Sequence, residues 1–132
     1  MPTGRLSDTA RDFLRKPSPA VVGTLGRHGQ PVTAATWFLL QDDDTLLLNI
    51  ESGRARIRHV KDDPRIALTV LGENWYSHLS IQGRVTDMQP DPDLSVIDRI
   101  AQHYTGKEYR VRDKERVSMV VEIDSWFGWH VD

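Results

Sequence analysis

Between Ala20 and Glu51 the sequence runs through three β-branched and apolar stretches whose connections are too short to hold a helix. No other feature constrains the fold as much. The stretches lie at about 20–25, 31–40 and 45–51, divided by Gly26-Arg27-His28-Gly29 and by Gln41-Asp42-Asp43-Asp44, both rich in turn formers. Parallel neighbours need a crossover of about a dozen residues or more, so these strands form an antiparallel meander. Further strands are expected at Ile66 to Leu71, read as an apolar run buried on both faces, and at about Tyr76 to Met88, where Gly83 marks a bulge or bend. Another covers Val117 to Ile123, ahead of the aromatic end Trp126-Phe127-Gly128-Trp129-His130.

Helical spacing occurs in three places. Leu6, Ala10, Phe13 and Leu14 follow a Ser7 or Asp8 cap and stop at Pro17 and Pro19. Ser52-Gly53 opens a second helix, carrying Ala55, Ile57 and Val60 and ended by Asp63-Pro64. Leu94, Ile97, Ile100, Ala101 and Tyr104 mark a third, with Asp93 as its cap. About six strands, three short helices and no βαβ alternation predict a mainly β fold: a small Greek-key-type antiparallel barrel, closed or partly closed, with helices packed outside. Its 132 residues suit a single domain spanning 1–132.

Composition removes several classes of function. The charge balance of 17 Lys+Arg against 19 Asp+Glu argues against a dedicated nucleic-acid binder. No apolar run approaches the roughly 20 residues of a membrane span, and the first residues lack a signal peptide's apolar stretch, so a cytoplasmic location is expected. Zero cysteines exclude disulfides, thiolate metal sites and a cysteine nucleophile. The five histidines form no zinc-binding pattern, so no metal site is expected. The serine-hydrolase elbow and the P-loop and Rossmann glycine patterns are also missing.

Three segments carry candidate chemistry. In Asn49-Ile50-Glu51-Ser52-Gly53-Arg54-Ala55-Arg56-Ile57-Arg58-His59-Val60-Lys61, arginines alternate just past a strand end. Guanidinium forks bind phosphate oxygens bidentately, and a helix starting at Ser52-Gly53 would add its free N–H groups. Arg54 and Arg58 would share a face, with Arg56 pointing elsewhere; a merely solvated basic helix is the competing reading. In Pro31 to Phe38 small residues interrupt an apolar run and would let a flat ring approach the backbone, or simply alternate in the core. Trp75, Tyr76 and His78 read either as a wall stacking on an aromatic ligand or as core or interface packing.

The order Gly23-Thr24-Leu25, Gly29-Gln30-Pro31, Thr36-Trp37-Phe38, Ser52 to His59, Asp63-Pro64-Arg65-Ile66 and Gln82-Gly83-Arg84-Val85 resembles the flavin and deazaflavin oxidoreductases of the pyridoxamine 5′-phosphate oxidase-like split β-barrel superfamily, in particular its F420-dependent subgroup. The resemblance spans about residues 6–130. It implies a homodimer that binds a cofactor, coenzyme F420 or alternatively FMN, at the subunit interface, and an oxidoreductase that transfers a hydride to a small conjugated acceptor. It further implies that Arg54 and Arg56 contact the cofactor phosphate with Arg58 and His59 beside them. Thr36, Trp37 and the stretch from Asn49 to Ser52 would then line the ring, and Trp75 and Tyr76 would approach it from the other subunit. Arg56 stands where lysine is common in the family, and the C-terminal Gly128-Trp129-His130 lacks the cluster that binds pyridoxamine phosphate, which disfavours that substrate. The cationic surplus of Arg54, Arg56, Arg58 and Lys61 favours the longer anionic tail of F420. No acid or base is required, with Tyr76 and His78 the only candidates for a proton donor. A non-catalytic flavin, deazaflavin or haem binder remains the alternative.

Overall fold

The computed structural model of the chain describes residues 5–131. Helix α1 (Asp8–Leu14) starts at Ser7, whose hydroxyl accepts the Ala10 amide at 3.1 Å. Strands β1 (Ala20–Leu25), β2 (Pro31–Thr36), β3 (Leu39–Leu40) and β4 (Leu46–Glu51) follow, then α2 (Ala55–Asp62) and β5 (Arg65–Leu71). The chain continues through β6 (His78–Pro90), α3 (Ser95–Thr105) and β7 (Arg116–Trp129). No helix among the described residues is long and apolar enough to cross a membrane.

The strands make one seven-stranded antiparallel sheet in the order β2-β1-β5-β6-β7-β4-β3. Strands β2 and β3 therefore form its two opposite edges, although only Trp37 and Phe38 separate them in the chain. Three Cα steps reach no more than about 11 Å, so the sheet must roll until its edges nearly meet. No ladder joins β2 to β3, and a seam is left between them. The result is an open, split barrel with seven strands rather than six.

The expected strand 31–40 breaks at Trp37-Phe38 because the chain there leaves one edge and joins the other, with Phe38 fully buried. Strand β7 extends past Ile123 through the terminal aromatics because β6 is long enough to pair with them, His78 lying opposite Trp129. Two-sided burial belongs to β4, where Leu46 to Ile50 are all buried, whereas β5 alternates with Ala67 exposed. The reason is that α3 covers the outer face of β4 but not that of β5. The expected irregularity at Gly83 is present as a register shift between Gln82 and Gly83. A Cβ there would lie 2.2 Å from the Glu122 carbonyl oxygen, so the strands approach this closely only with glycine.

Two clusters hold the structure together. The inner one fills the barrel with Val22, Phe38, Leu48, Leu68, Ile81 and Val121 and takes in the apolar faces of α1 and α2. Each fully buried aliphatic side chain contributes about 1.5–3 kcal/mol of transfer free energy. The outer cluster packs Leu94, Ile97 and Ile100 of the α3 region on Leu47. Asp91, rather than Asp93 alone, organises the start of α3: its carboxylate accepts the Val96 and Ile97 amides at 3.1 and 2.9 Å, while Asp93 accepts that of Ser95.

Candidate functional site

A cleft of about 570 Å³ lies between the end of β4, the start of α2, α3 and the segment leading into β7. That volume lies within the range of small-molecule sites, about 300–1,000 Å³. The seam residues Thr36 and Trp37 form part of its wall, so the missing ladder between the sheet edges borders the open space.

One side is aromatic. Trp37 stacks on Tyr104 with centroids 4.9 Å apart and planes 9° from parallel, and Tyr109 meets Trp37 edge-on at 6.0 Å. The Tyr104 hydroxyl donates to the Ser18 carbonyl at 2.8 Å and accepts the Phe38 amide at 3.2 Å. Burial raises its pKa above the ordinary tyrosine value, the Phe38 amide opposing this in part, so the phenol stays neutral while locking the aromatic wall to the seam.

The other side is cationic. Arg54 precedes α2 in an extended conformation (φ −74°, ψ 144°), and its Nε lies 3.7 Å from Glu51 Oε2. Arg56 is half-buried and makes no hydrogen bond or ion pair with a described side chain. Desolvation, and then the like charge of Arg54, lower its pKa. Burial and the neighbouring cation both disfavour the charged guanidinium, and an anion seated in the cleft would offset both.

Behind these groups Asn49, Asp91 and Arg116 form a buried polar chain. The Arg116 Nε donates to Asn49 Oδ1 at 2.7 Å, and the Asn49 amide donates to Asp91 Oδ2 at 3.0 Å. The Arg116 guanidinium lies over the Tyr109 ring, 4.7 Å from its centroid.

The cleft thus gathers Thr36, Trp37, Asn49, Arg54 and Arg56. Because α2 starts at Ala55 rather than at Ser52, the pair facing the cleft is Arg54 and Arg56, not Arg54 and Arg58. Ser52 sits in an exposed turn, its amide donating to the Glu115 carbonyl at 2.9 Å. Arg58 is exposed outside the cleft, and the His59 Nδ1 is bonded to Thr24 Oγ1 at 2.9 Å. Trp75 and Tyr76 stack on each other at 4.0 Å in the β5–β6 connection, 67% and 59% exposed, and His78 begins β6; none of the three lines the cleft of this chain. Sequence reasoning gave no cleft role to Tyr104, Tyr109 or Arg116. Tyr104 carried a helical-core signal, and the other two lie in a polar loop and at a strand start, where spacing carries no such information.

Comparison with known proteins places these observations. The sequence model of the pyridoxamine 5′-phosphate oxidase family matches residues 6–130. Among solved structures, an F420 reductase is 25% identical, with 96% of this chain and 98% of that one covered and a TM-score of 0.81. A conserved hypothetical protein from Mycobacterium tuberculosis is 18% identical over 98% of this chain and 87% of its own, with a TM-score of 0.77. General stress protein 26 from Bacillus anthracis is 14% identical over 92% of each chain, with a TM-score of 0.70. The last two show the fold alone. A search of curated protein sequences gave no match. A family match over nearly the whole chain, on an open barrel whose seam borders the cleft, has one reading: the chain belongs to the pyridoxamine 5′-phosphate oxidase family of split-barrel, flavin-binding oxidoreductases.

Proposed function

We propose that the protein is an F420-dependent oxidoreductase that passes a hydride from the reduced deazaflavin to a small conjugated or unsaturated acceptor. The observation that carries this reading is the Arg54–Arg56 pair at the wall of a cleft whose other wall is aromatic. A tricyclic ring with an anionic tail has that polarity. The half-buried Arg56, short of a counter-charge, fits a phosphate, and the Trp37–Tyr104 stack offers an apolar border to a flat ring. The structural likeness to an F420 reductase supports the deazaflavin over other tricyclic cofactors.

The cofactor supplies the hydride chemistry; the chain supplies placement and exclusion of water. Arg54 and Arg56 hold the tail, while Thr36, Trp37 and Asn49 border the ring. The reading includes a homodimer. Exposed Trp75, Tyr76, Phe127 and Trp129 are apolar surface that a second copy would cover, and the partner's loop would bring Trp75 and Tyr76 to the cofactor. FMN is the second reading, favoured by the match to the pyridoxamine 5′-phosphate oxidase family as a whole.

Equilibrium titration of the apo protein with F420 and with FMN at fixed salt, followed by cofactor fluorescence, decides between them. Tighter binding of F420 is expected. Preference for FMN moves the protein to the flavin branch, and binding of neither removes the assignment. Replacing both Arg54 and Arg56 with alanine weakens cofactor binding by about 3 kcal/mol or more if the charge-assisted contacts form.

A further inference from the structure

Arg116 is a charged side chain only 8% exposed, and no carboxylate of the described residues pairs with it. Two of its nitrogens are accounted for: Nε on Asn49 Oδ1, and Nη2 at a long 3.5 Å from the Asn49 carbonyl. Nη1 makes no hydrogen bond to a described residue. It is not sealed in either, because the enclosed, unpartnered side-chain nitrogen among the described residues is His103 Nε2. Arg116 is also one of the residues that line the cleft, beside Asn49 and Tyr109.

The surroundings hold this guanidinium in place without neutralising it by contact. Asp91, the carboxylate that ends the Arg116–Asn49–Asp91 series, spends its oxygens on the Asn49 amide and on the Val96 and Ile97 N–H groups. The Tyr109 ring lies over one flat face, its centroid 4.7 Å from the guanidinium carbon. In the β4–β7 ladder Arg116 lies opposite Glu51, but the carboxylate of Glu51 is turned to Arg54. A buried cation without its own counter-ion is costly, and one held in place at the wall of a cleft is what a ligand oxygen repays.

We propose that Arg116 is a ligand-binding residue of this cleft, donating to a carbonyl or anionic oxygen on the ring system of the bound cofactor, separate from the phosphate-directed pair Arg54 and Arg56. The proposal rests on the function stated above. It assigns the ring end rather than the tail from burial: the Arg54 side chain is 62% exposed at the rim, as suits a solvated phosphate, whereas Arg116 is almost wholly buried, as suits the inserted heterocycle. Asn49, at the border of the ring, also holds Arg116 in place by accepting its Nε–H.

The test compares each phosphorylated cofactor with its phosphate-free parent: F420 with the deazaflavin that ends at its ribityl chain, and FMN with riboflavin. Arg116→Met weakens the phosphorylated ligand and its parent by the same factor, about tenfold or more. Arg54→Ala with Arg56→Ala weakens the phosphorylated ligand alone. Loss confined to the phosphorylated ligand in Arg116→Met makes Arg116 a tail contact and overturns the proposal. Unchanged binding of both makes it structural and also overturns it. If the methionine variant does not fold, Arg116→Lys keeps the charge but loses the fork; equal weakening of both ligands supports the assignment, and unaltered binding refutes it. Wild-type protein that binds none of the four ligands brings down the proposed function together with this inference. Normal wild-type binding with an indifferent Arg116→Met brings down this inference alone.

Discussion

Replacing Tyr104 with phenylalanine removes one oxygen and tests how the seam is held. The ring remains, so the stack on Trp37 at 4.9 Å is retained. What goes is the hydroxyl that joins the Ser18 carbonyl, at 2.8 Å, to the Phe38 amide, at 3.2 Å, tying three distant segments at one point. Both backbone groups lose their partner, and Phe38 itself is fully buried. Each unsatisfied buried group costs about 1–3 kcal/mol, and water entering from the cleft offsets some of this, so the expected loss is about 2–4 kcal/mol. At about 2.1 cal/mol/K per residue, that corresponds to a fall in Tm of about 7–14 °C for a chain of 132 residues. Urea and thermal unfolding at one protein concentration measure it. Tyr109→Phe is the control: that hydroxyl makes no hydrogen bond to a described residue, and the change is expected to stay within about 0.5 kcal/mol. If Tyr104→Phe is as mild as this control, the hydroxyl does not hold the seam and the reasoning fails.

Three other perturbations follow from the geometry. Gly83→Ala places a Cβ 2.2 Å from the Glu122 carbonyl oxygen, so backbone must move; we expect a loss of about 3 kcal/mol in chemical denaturation, and a neutral result would mean that the bulge is plastic. The hydrogen bonds from Arg11 to Asp44 and from Arg112 to Asp98 hold both carboxyl groups below their ordinary value of 3.8. Their folded pKa values lie below the unfolded ones, so their contribution is complete above about pH 5 and is lost as pH falls through the folded values. Melting temperatures from pH 7 to 2.5 should therefore drop less steeply in Asp44→Asn with Asp98→Asn than in wild type, and parallel curves would contradict this. Trp75→Ser with Tyr76→Ser removes two exposed stacked rings; under the proposed homodimer, sedimentation should show weaker self-association than in wild type, and an unaltered mass would remove these rings from the proposed contact.

Much of the barrel was legible because local chemistry writes it. Short turns forced antiparallel neighbours, Pro17 and Pro19 ended α1, and Gly83 announced its bulge. The edges of elements were less legible where a distant segment decides them. Nothing in Ala35-Thr36-Trp37-Phe38 signals that the chain changes sheet edge there, because the break is made by the rolling of the whole sheet. Arg54 and Arg56 were visible as a basic cluster, but which arginines face the cleft depends on a helix that starts at Ala55. Arg116 was not visible at all. Its meaning comes from Asn49, 67 positions away, and from Asp91, itself committed to the start of α3, so no window of sequence contains the relationship.

The two-residue link between the sheet's opposite edges also limits how the barrel can breathe. Where Trp37 and Phe38 tether β2 to β3, separation is fixed by covalent geometry, while along the rest of the seam only side chains and whatever lies in the cleft oppose parting. The closest approach of the two edges is therefore set at that tether, and any widening of the seam is least there and greatest at the far end. Lengthening the tether by one or two glycines would release that constraint and let the two edges part along their whole length.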